Sequence, residues 1–260
     1  MAKPVNKMRD LIFQVAVGEV PPFYNQCIDS VARYANRLDV DHIVIREPVL
    51  KIAPLKSCRS ENALRLGYLP IYEKEGSYAF LGHYRRICVI DADIFVRKSA
   101  PNIFDELGDY DFAAVVEREL PSVTDYAEKV RKHSQGQFST LKDVDWRWNE
   151  KGAHYYNMGM MLFGNNFKDY LNGQTPTEFL RRPEFARFVN GEGHWKWSTD
   201  QSMLNWWVKK SGMKTRDLDW KWNGMYKAVK DHAPAHFVHF FLHKRQAEGA
   251  IERLISSTLR

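Results

Sequence analysis

The sequence predicts one α/β domain in which helices flank a mostly parallel central sheet. Short apolar runs alternate along the chain with segments whose apolar residues recur at helical spacing, which is typical of strand–helix–strand units. The chain of 260 residues is long enough for one large α/β core, and no linker or low-complexity tract divides it. We therefore interpret residues 1–260 as a single domain.

The individual strands and helices follow from the period of the apolar residues. Ile87–Ile90 is a wholly apolar run that is too short for a helix, so it predicts a buried strand. In the same way we predict strands at 11–17, 42–45, 87–90, 112–116 and 156–163, with further apolar segments at 94–96 and 236–242. The predicted helices are 25–38, 60–66, 176–189, 199–209 and 251–259, with a helix end near Tyr84 and a short helix opening at Pro101.

One long segment, residues 118–150, has no clear apolar period. It is polar and charged throughout, which predicts no packed helix or strand. Long loops of this kind often cover or flank a binding site. We therefore interpret it as a lid or an excursion on the acceptor side of a site.

Charge and composition narrow the class of protein and its partners. No run of about 18 apolar residues occurs, so we expect no transmembrane helix. The chain start imitates a signal peptide only loosely, and we interpret its apolar stretch as the first strand. Three cysteines without metal-ligand spacing favour a reducing compartment and a cytoplasmic protein. The net charge of +6 favours anionic partners, among them the surface of an anionic membrane.

The most informative motif is Asp91-Ala92-Asp93, directly after the buried strand 87–90. Open α/β sheets bind their ligands at the carboxyl ends of the strands, which is where both acids fall. Two carboxylates so close repel each other unless a cation or a proton lies between them. Their oxygen atoms suit Mg²⁺ or Mn²⁺, ions that often hold substrate phosphates. A surface turn with two solvated acids is the simpler alternative.

Two further polar groups lie at the edges of predicted elements. Asn157 and Gly159 open the strand 156–163, where glycine permits a close approach and asparagine can donate and accept hydrogen bonds. Asp200 and Gln201 begin the helix 199–209. The helix dipole alone would favour an acid at position 200, but helix capping does not explain Gln201.

The last apolar segment carries candidate metal and phosphate ligands. His236, His239 and His243 recur in it, and an imidazole could complete the coordination of an ion held by two acids. Lys244 could neutralise a diphosphate as a point charge. A histidine among aromatic residues is also often a packed core residue.

These motifs, taken in order, resemble those of nucleotide-sugar glycosyltransferases with the GT-A fold. The similarity is greatest to the retaining family 8 group, which includes glycogenin and bacterial lipopolysaccharide galactosyltransferases. It extends over residues 10–245, nearly the whole chain. The matching stretches are 84–94, 101–107, 157–163 and 200–205, followed by His239 and Lys244.

The resemblance implies a role for each matching residue. Asp91, Asp93 and His239 would bind Mn²⁺ or Mg²⁺, and the ion would hold the diphosphate of a nucleotide sugar, expected to be a UDP-sugar. The family's pattern places Asn157, Asp200 and Gln201 at the donor sugar and the reaction centre. Residues expected to contact the nucleotide are Ala92, Gly159, Lys244 and, at the end of the first strand, Ala16, Val17 and Gly18. The reaction implied is transfer of the sugar to an acceptor hydroxyl on a carbohydrate or glycoconjugate, with retention.

The sequence departs from the family at one point, and other classes stay open. The interval from the late histidine to Lys244 is one residue short and lacks the usual glycine, so His236 and His243 remain alternative ligands. A phosphatase of the haloacid dehalogenase type also uses Asp-x-Asp after a buried strand, but normally after the first one. A non-catalytic, basic, tryptophan-rich module that binds glycans or nucleic acid would leave the acids unexplained. We expect no nucleic-acid partner.

Overall fold

The computed structural model describes residues 8–53, 61–196, 199–241 and 255–256. The strands are β1 (Asp10–Val15), β2 (Asp41–Ile45), β3 (Arg86–Ile90), β4 (Ile94–Val96), β5 (Phe112–Val116), β6 (Tyr156–Gly164), β7 (Thr215–Leu218), β8 (Gly224–Met225) and β9 (Phe237–His239). The α-helices are α1 (Phe23–Leu38), α2 (Glu61–Leu66), α3 (Thr124–Phe138), α4 (Pro176–Leu180), α5 (Ala186–Val189) and α6 (Asp200–Lys210). Short 3₁₀ segments connect them, of which Pro70–Phe80 is the longest.

The predicted α/β fold with a mostly parallel central sheet is confirmed. Six strands form the main sheet in the order β2-β1-β3-β6-β5-β7. β1 is parallel to β2 and β3, and β5 is parallel to β7, whereas β6 is antiparallel to both of its neighbours. A smaller sheet, β4-β9-β8, lies next to the end of β3.

Alternation along the central strands builds a core on each side of the main sheet. In β3, Ile87 and Val89 belong to one buried cluster, whereas Cys88 and Ile90 belong to the other. Both faces are apolar because elements cover both, which is why β3 is a continuous apolar run. The helix α1 buries one face, formed by Cys27, Ile28, Val31, Tyr34 and Ala35, and its C-cap Asp39 has a left-handed φ of 52°.

The structure corrects two predictions about helices. Residues 118–150 contain α3, and Val130, Phe138 and Trp146 of this segment are buried in the main core. Its apolar residues are too sparse to show a period, but each meets an apolar partner from another element. The single helix predicted at 176–189 is divided into α4 and α5, because Pro183 begins a separate 3₁₀ turn.

Two smaller outcomes concern the ends of the chain. The first strand ends at Val15 rather than at Val17. The helix predicted at 251–259 lies almost wholly outside the described residues. Among the helices that are described, none has the length and apolar character needed to cross a membrane.

Candidate active site

The candidate site lies where β3 ends and three other elements meet it. Asp91 follows β3, and its backbone N–H donates to the carbonyl of Gly159 in β6 over 2.8 Å. Ile94 in β4 pairs with His239 in β9, and the N–H of Phe240 donates to the carbonyl of Asp93 over 3.0 Å. Ordinary strand pairing therefore brings the acidic motif, the Asn157–Gly159 segment and the late histidine together.

Asp91, Asp93 and His239 form a compact group of potential metal ligands. One ligand atom from each lies within 4.8 Å of the others. His239 Nε2 is 3.3 Å from Asp93 Oδ1 and 3.9 Å from Asp91 Oδ2. The imidazole is buried, and its Nε2 makes no hydrogen bond among the described residues. Two carboxylate oxygens and an imidazole nitrogen suit Mn²⁺, so these residues fit the ion expected from the sequence motifs.

Gly159 leaves room for the histidine ring. A Cβ atom at this position would lie 2.4 Å from His239 Cε1 and 2.8 Å from Nδ1. Such contacts are too short for any side chain, so His239 occupies the space that the glycine leaves open. The sequence predicted a close approach at Gly159, and the group that approaches it is this ring.

Lys74 is a site residue that the sequence did not indicate. Its ammonium group lies 3.0 Å from Asp91 Oδ1 and 2.8 Å from Asp200 Oδ2, and it donates to the carbonyl of Met158 over 3.0 Å. The lysine is buried within the 3₁₀ segment Pro70–Phe80. It joins the acidic motif to the start of α6, which lies far away in the sequence.

The burial of these charges sets their proton affinities. Burial raises the pKa of Asp91 to about 6, against the lowering effect of Lys74. Burial also acts to raise the pKa of Asp93, but His239 outweighs it and holds that pKa below its usual value. Burial alone would lower the pKa of His239, yet Asp93 raises it above its usual value. The pKa of each group thus depends on the charges of its neighbours as well as on burial.

Asp200 and Gln201 sit at the start of α6 and face the same region. Asp200 is buried and ion-paired with Lys74, and Thr199 makes no side-chain capping bond. The N-cap position belongs to Thr199, so Asp200 does not cap the helix, and its carboxylate binds Lys74 instead. Gln201 Oε1 accepts a hydrogen bond from the backbone N–H of Met158 over 3.3 Å, so its amide is directed towards β6.

The other residues singled out in the sequence fall into three groups. Ala16 packs against Ala92 in a small buried cluster, which places the end of β1 beside the acidic motif. Gly18 has a left-handed φ of 76° and lies close to Leu66. His236 packs against Trp222 rather than facing the acids, and Lys244 and His243 lie outside the described residues.

Three short stretches of the sequence, 145–149, 194–197 and 219–223, each carry two tryptophans separated by one residue, and an extended chain would place both rings of a pair on one face. In the first stretch Trp146 is a core residue whereas Trp148 is exposed, so these two rings do not share a face. Trp220–Asn223 is a 3₁₀ turn rather than an extended segment. Trp146, Trp206, Trp207 and Trp222 are all buried in the core, so these four rings offer no surface for stacking a glycan or a base.

Two further buried residues at the site, Glu117 and Asn223, also escaped sequence reasoning. Glu117 directly follows β5 and contacts Asn157, and Asn223 contacts both Asn157 and His239. The only sequence signal was position: Glu117 directly follows a predicted buried strand, as Asp91 does. Nothing local marked Asn223.

Comparison with known proteins identifies the fold. No family model and no curated protein matches the sequence. The structure is similar to the galactosyltransferase LgtC, solved with donor and acceptor sugar analogues, with a TM-score of 0.56 and 14% identity over 96% of this chain and 95% of that one. It is also similar to mouse xyloside xylosyltransferase 1, with a TM-score of 0.52 and 13% identity over 92% of this chain and 100% of that one.

A third solved structure is also similar. A glycosyltransferase involved in glycosylation of the major capsid of PBCV-1 matches with a TM-score of 0.51 and 11% identity over 96% of this chain and 99% of that one. The chain has the fold shared by these enzymes, the GT-A glycosyltransferase fold expected from its motifs. At these identities the likeness concerns the fold alone.

Proposed function

We propose that the protein is a metal-dependent glycosyltransferase that moves a sugar from a nucleoside diphosphate sugar, a UDP-sugar, to an acceptor hydroxyl. The observation that carries this proposal is the group formed by Asp91, Asp93 and His239 at the carboxyl end of β3. It lies at the sheet edge where α/β proteins bind ligands, within a fold that other glycosyltransferases share. LgtC was solved with donor and acceptor sugar analogues, which supports the same two ligand classes for this chain.

Asp91, Asp93 and His239 would hold Mn²⁺ or Mg²⁺. When bound, the ion supplies positive charge to the leaving diphosphate as negative charge develops there. Ala92, Gly159 and the segment 16–18 line the same end of the sheet, and we assign them to the nucleotide. Lys244 is assigned to the diphosphate on the resemblance alone.

Lys74 and Asp200 organise the protein side of the reaction centre. Their ion pair, shared with Asp91, holds the carboxylate of Asp200 in place beside β6. A carboxylate bound in this way is a weak nucleophile, which favours attack by the acceptor on the same face of the sugar as the leaving diphosphate. Retention of configuration is the expected stereochemistry. Asp200, Gln201 and Asn157 are the residues we assign to the donor sugar.

A thermal-shift assay tests the proposal directly. UDP and Mn²⁺ together should raise the melting temperature more than either ligand alone, because the ion connects the diphosphate to the acids. Saturation at a hundred times Kd stabilises a protein by about 2.7 kcal/mol. For a chain of this size we expect a rise of roughly 5–10 °C. Absence of any joint effect would contradict the metal-diphosphate assignment.

Asp93→Asn provides the matching functional test. Transfer from a UDP-sugar and hydrolysis of that donor should both fall by at least about 10²-fold, the loss seen when one electrostatic stabiliser is removed from a reaction centre. The product is examined by mass and by anomeric NMR, which also reports the stereochemistry. Full activity in this variant would refute the assignment, whereas an inverted product would refute retention only.

A further inference from the structure

A line of hydrogen bonds runs from Glu117, the residue after β5, to the candidate metal ligand His239. Asn157 Nδ2 donates to Glu117 Oε2 over 3.1 Å, and Asn223 Nδ2 donates to Asn157 Oδ1 over 2.8 Å. His239 Nδ1 lies 2.9 Å from Asn223 Oδ1. All four side chains are buried, so water does not compete for these bonds.

The donor and the acceptor of each bond in this line can be assigned from groups that can act in only one way. The backbone N–H of Gly159 can only donate, and it points at Asn157 over 2.9 Å, so the Asn157 atom there must be oxygen. Asn223 must then present its nitrogen to Asn157 and its oxygen to His239. An amide oxygen can only accept, so His239 Nδ1 must carry a proton.

We propose that Asn223 is a positioning residue that sets the tautomer and the orientation of His239 for metal binding. A neutral imidazole with its proton on Nδ1 has its lone pair on Nε2, the atom that faces Asp91 and Asp93. Glu117 anchors the line at its far end, where it also accepts from the hydroxyl of Tyr126 over 2.7 Å. This inference rests on the proposed metal-dependent function.

Direct measurement of Mn²⁺ binding tests the role of Asn223. Asn223→Leu keeps similar volume but removes both hydrogen bonds, and we expect Mn²⁺ affinity in the presence of UDP to fall by about 10–100-fold. Free Mn²⁺ is followed by electron paramagnetic resonance. The matched control is Gln137→Leu, which removes a buried amide of α3 that bonds to the backbone of His194 and to the hydroxyl of Ser202 and has no part in the line to His239.

The outcomes separate this inference from the proposed function. If the wild-type protein binds no Mn²⁺, the metal-dependent function fails and the inference fails with it. If the wild type binds Mn²⁺ and Asn223→Leu binds it equally well, only the inference is overturned. Should Asn223→Leu not fold, Asn223→Ser serves instead, because a hydroxyl is too short to contact both Asn157 and His239.

The tautomer of His239 gives a second readout that a purely structural role would not change. In the metal-free protein, at a pH where the ring is neutral, ¹⁵N NMR should find the proton on Nδ1. In Asn223→Leu the proton should redistribute towards Nε2, beside Asp93. An unchanged tautomer in the variant would overturn the proposal.

A second feature, a basic groove between α1 and the chain after β4, is independent of this site. The groove has a volume of about 270 Å³, and four of its lining residues are cations: Arg33, Arg37, Arg97 and Lys98. Among the residues that the structure describes, no acidic side chain lines it. The hydroxyls of Ser30 and Tyr34, which also line it, already bond to the protein backbone.

Arg97 is the best-defined cation of the basic groove. Its guanidinium is half-buried, and burial lowers its pKa. One Nη atom donates to the carbonyl of His232 over 3.3 Å, but the buried Nε finds no hydrogen-bond partner among the described residues. Within those residues no carboxylate lies at ion-pair distance from Arg97. Asp231 acts on Arg97 only from beyond ion-pair distance, and it leaves the buried Nε–H without an acceptor. A buried donor without an acceptor is costly, and an anion in the groove would remove that cost.

We infer that the basic groove binds a phosphate group. A phosphate oxygen could accept from Nε of Arg97, and the other cations would balance its charge. The same chemistry occurs in soluble phosphate esters and in the head groups of anionic lipids. The net charge of +6 favours both sources.

Binding assays without Mn²⁺ test the basic groove and distinguish the two sources. Inorganic phosphate is titrated by calorimetry, and vesicles of phosphatidylglycerol or of phosphatidylcholine are tested by flotation. Binding of phosphate indicates a soluble ester, whereas binding of phosphatidylglycerol vesicles alone indicates a lipid. Arg97→Met should weaken the observed binding by at least about tenfold. Lys129→Met, an exposed cation on α3, should leave it unchanged. Binding of neither probe, or equal binding by Arg97→Met, would overturn the inference.

Discussion

The two ends of β3 carry buried charges in contrasting arrangements. At the amino end, Asp10 of β1 accepts hydrogen bonds from both Arg85 and Arg86, at distances of 2.6–3.1 Å. At the carboxyl end, Asp91 and Asp93 meet Asp200, Lys74 and His239. In the first cluster two arginines bind one carboxylate. In the second cluster three carboxylates share one lysine and one histidine. The first cluster lies at the amino ends of the parallel strands β1 and β3, and the second lies at the carboxyl end of β3.

This difference shows which end is suited to bind a ligand. The pKa of Asp10 is affected first by burial, which raises it, but the hydrogen bonds from Arg86 and Arg85 outweigh burial and lower it. A charge held in this way needs no further partner. At the carboxyl end the pKa of Asp91 stays raised, because Lys74 does not compensate fully for burial. The buried negative charge at this end is only partly balanced by Lys74, and the neighbouring Nε2 of His239 has no hydrogen-bond partner among the described residues. A bound cation would satisfy both groups.

The largest effect on stability is expected for Lys74→Met. The change leaves Asp91 and Asp200 buried without their shared cation, which should cost about 3–5 kcal/mol near neutral pH. Burial already raises the pKa of Asp91 to about 6, and losing Lys74, which lowers that pKa, would raise it further, so the folded protein would bind more protons than the unfolded chain. The loss should therefore be smaller at about pH 5 than at about pH 8.

Urea unfolding at both pH values measures the effect of Lys74→Met. Lys132→Met is the control, because that side chain is 71% exposed and should change stability by no more than about 0.5 kcal/mol. A loss that is independent of pH would mean that Lys74 acts through packing rather than through charge.

An intermediate effect is expected for Gly159→Ala. The new methyl group would collide with the ring of His239, so the ring must leave its present position beside Asp93. We expect a stability loss of about 1–3 kcal/mol, as for overpacking, together with weaker Mn²⁺ binding. Gly136→Ala in α3, where a methyl group meets nothing within 4 Å, should instead stabilise by about 0.5–1 kcal/mol. Calorimetric unfolding and Mn²⁺ titration distinguish the two variants, and unchanged Mn²⁺ binding by Gly159→Ala would contradict the predicted displacement.

The smallest effect is expected for Asp10→Asn, at the amino end. Asparagine keeps an acceptor for the arginines but loses the charge, so we expect a loss of about 1 kcal/mol with transfer activity per folded molecule unchanged. The folded pKa of Asp10 lies below the unfolded value of about 3.9, so its contribution is present above about pH 4 and is lost as pH falls through the folded pKa. Unfolding curves of the variant and the wild type should therefore converge near about pH 2. Loss of activity in the folded variant would show that the two ends of β3 are not separate in function.

Much of the fold could be predicted because the deciding signals are local. The apolar run Ile87–Ile90 is a strand as expected, since no other element accommodates a short run buried on both faces. The helix α1 is present because one face of it is continuously apolar. The segment with α3 was misjudged, because its few buried residues are too sparse for a period and pack against partners that local spacing does not reveal, as Phe138 does against Trp146 and Tyr155.

The burial of the charged run 73–75 could not be predicted from the local sequence. Three successive charged residues normally indicate a solvated turn, yet Glu73, Lys74 and Glu75 are all buried. The carboxylate of Glu73 accepts from the backbone N–H groups of residues 49–51, at distances of 2.7–2.9 Å. Lys74 pairs with Asp91 and Asp200, and burial raises the pKa of Glu75 well above its usual value. Each partner comes from another part of the chain.

The sequence by itself determined the α/β alternation and the acidic motif at the end of β3, because both depend on residues that are neighbours along the chain. The tertiary structure alone decided that His239 rather than His236 faces Asp93, that Lys74 joins Asp91 to Asp200, and that Asn223 orients the histidine. A buried charge or amide is stable only where its partners converge on it. That convergence depends on how separate strands and loops pack, which no local pattern records.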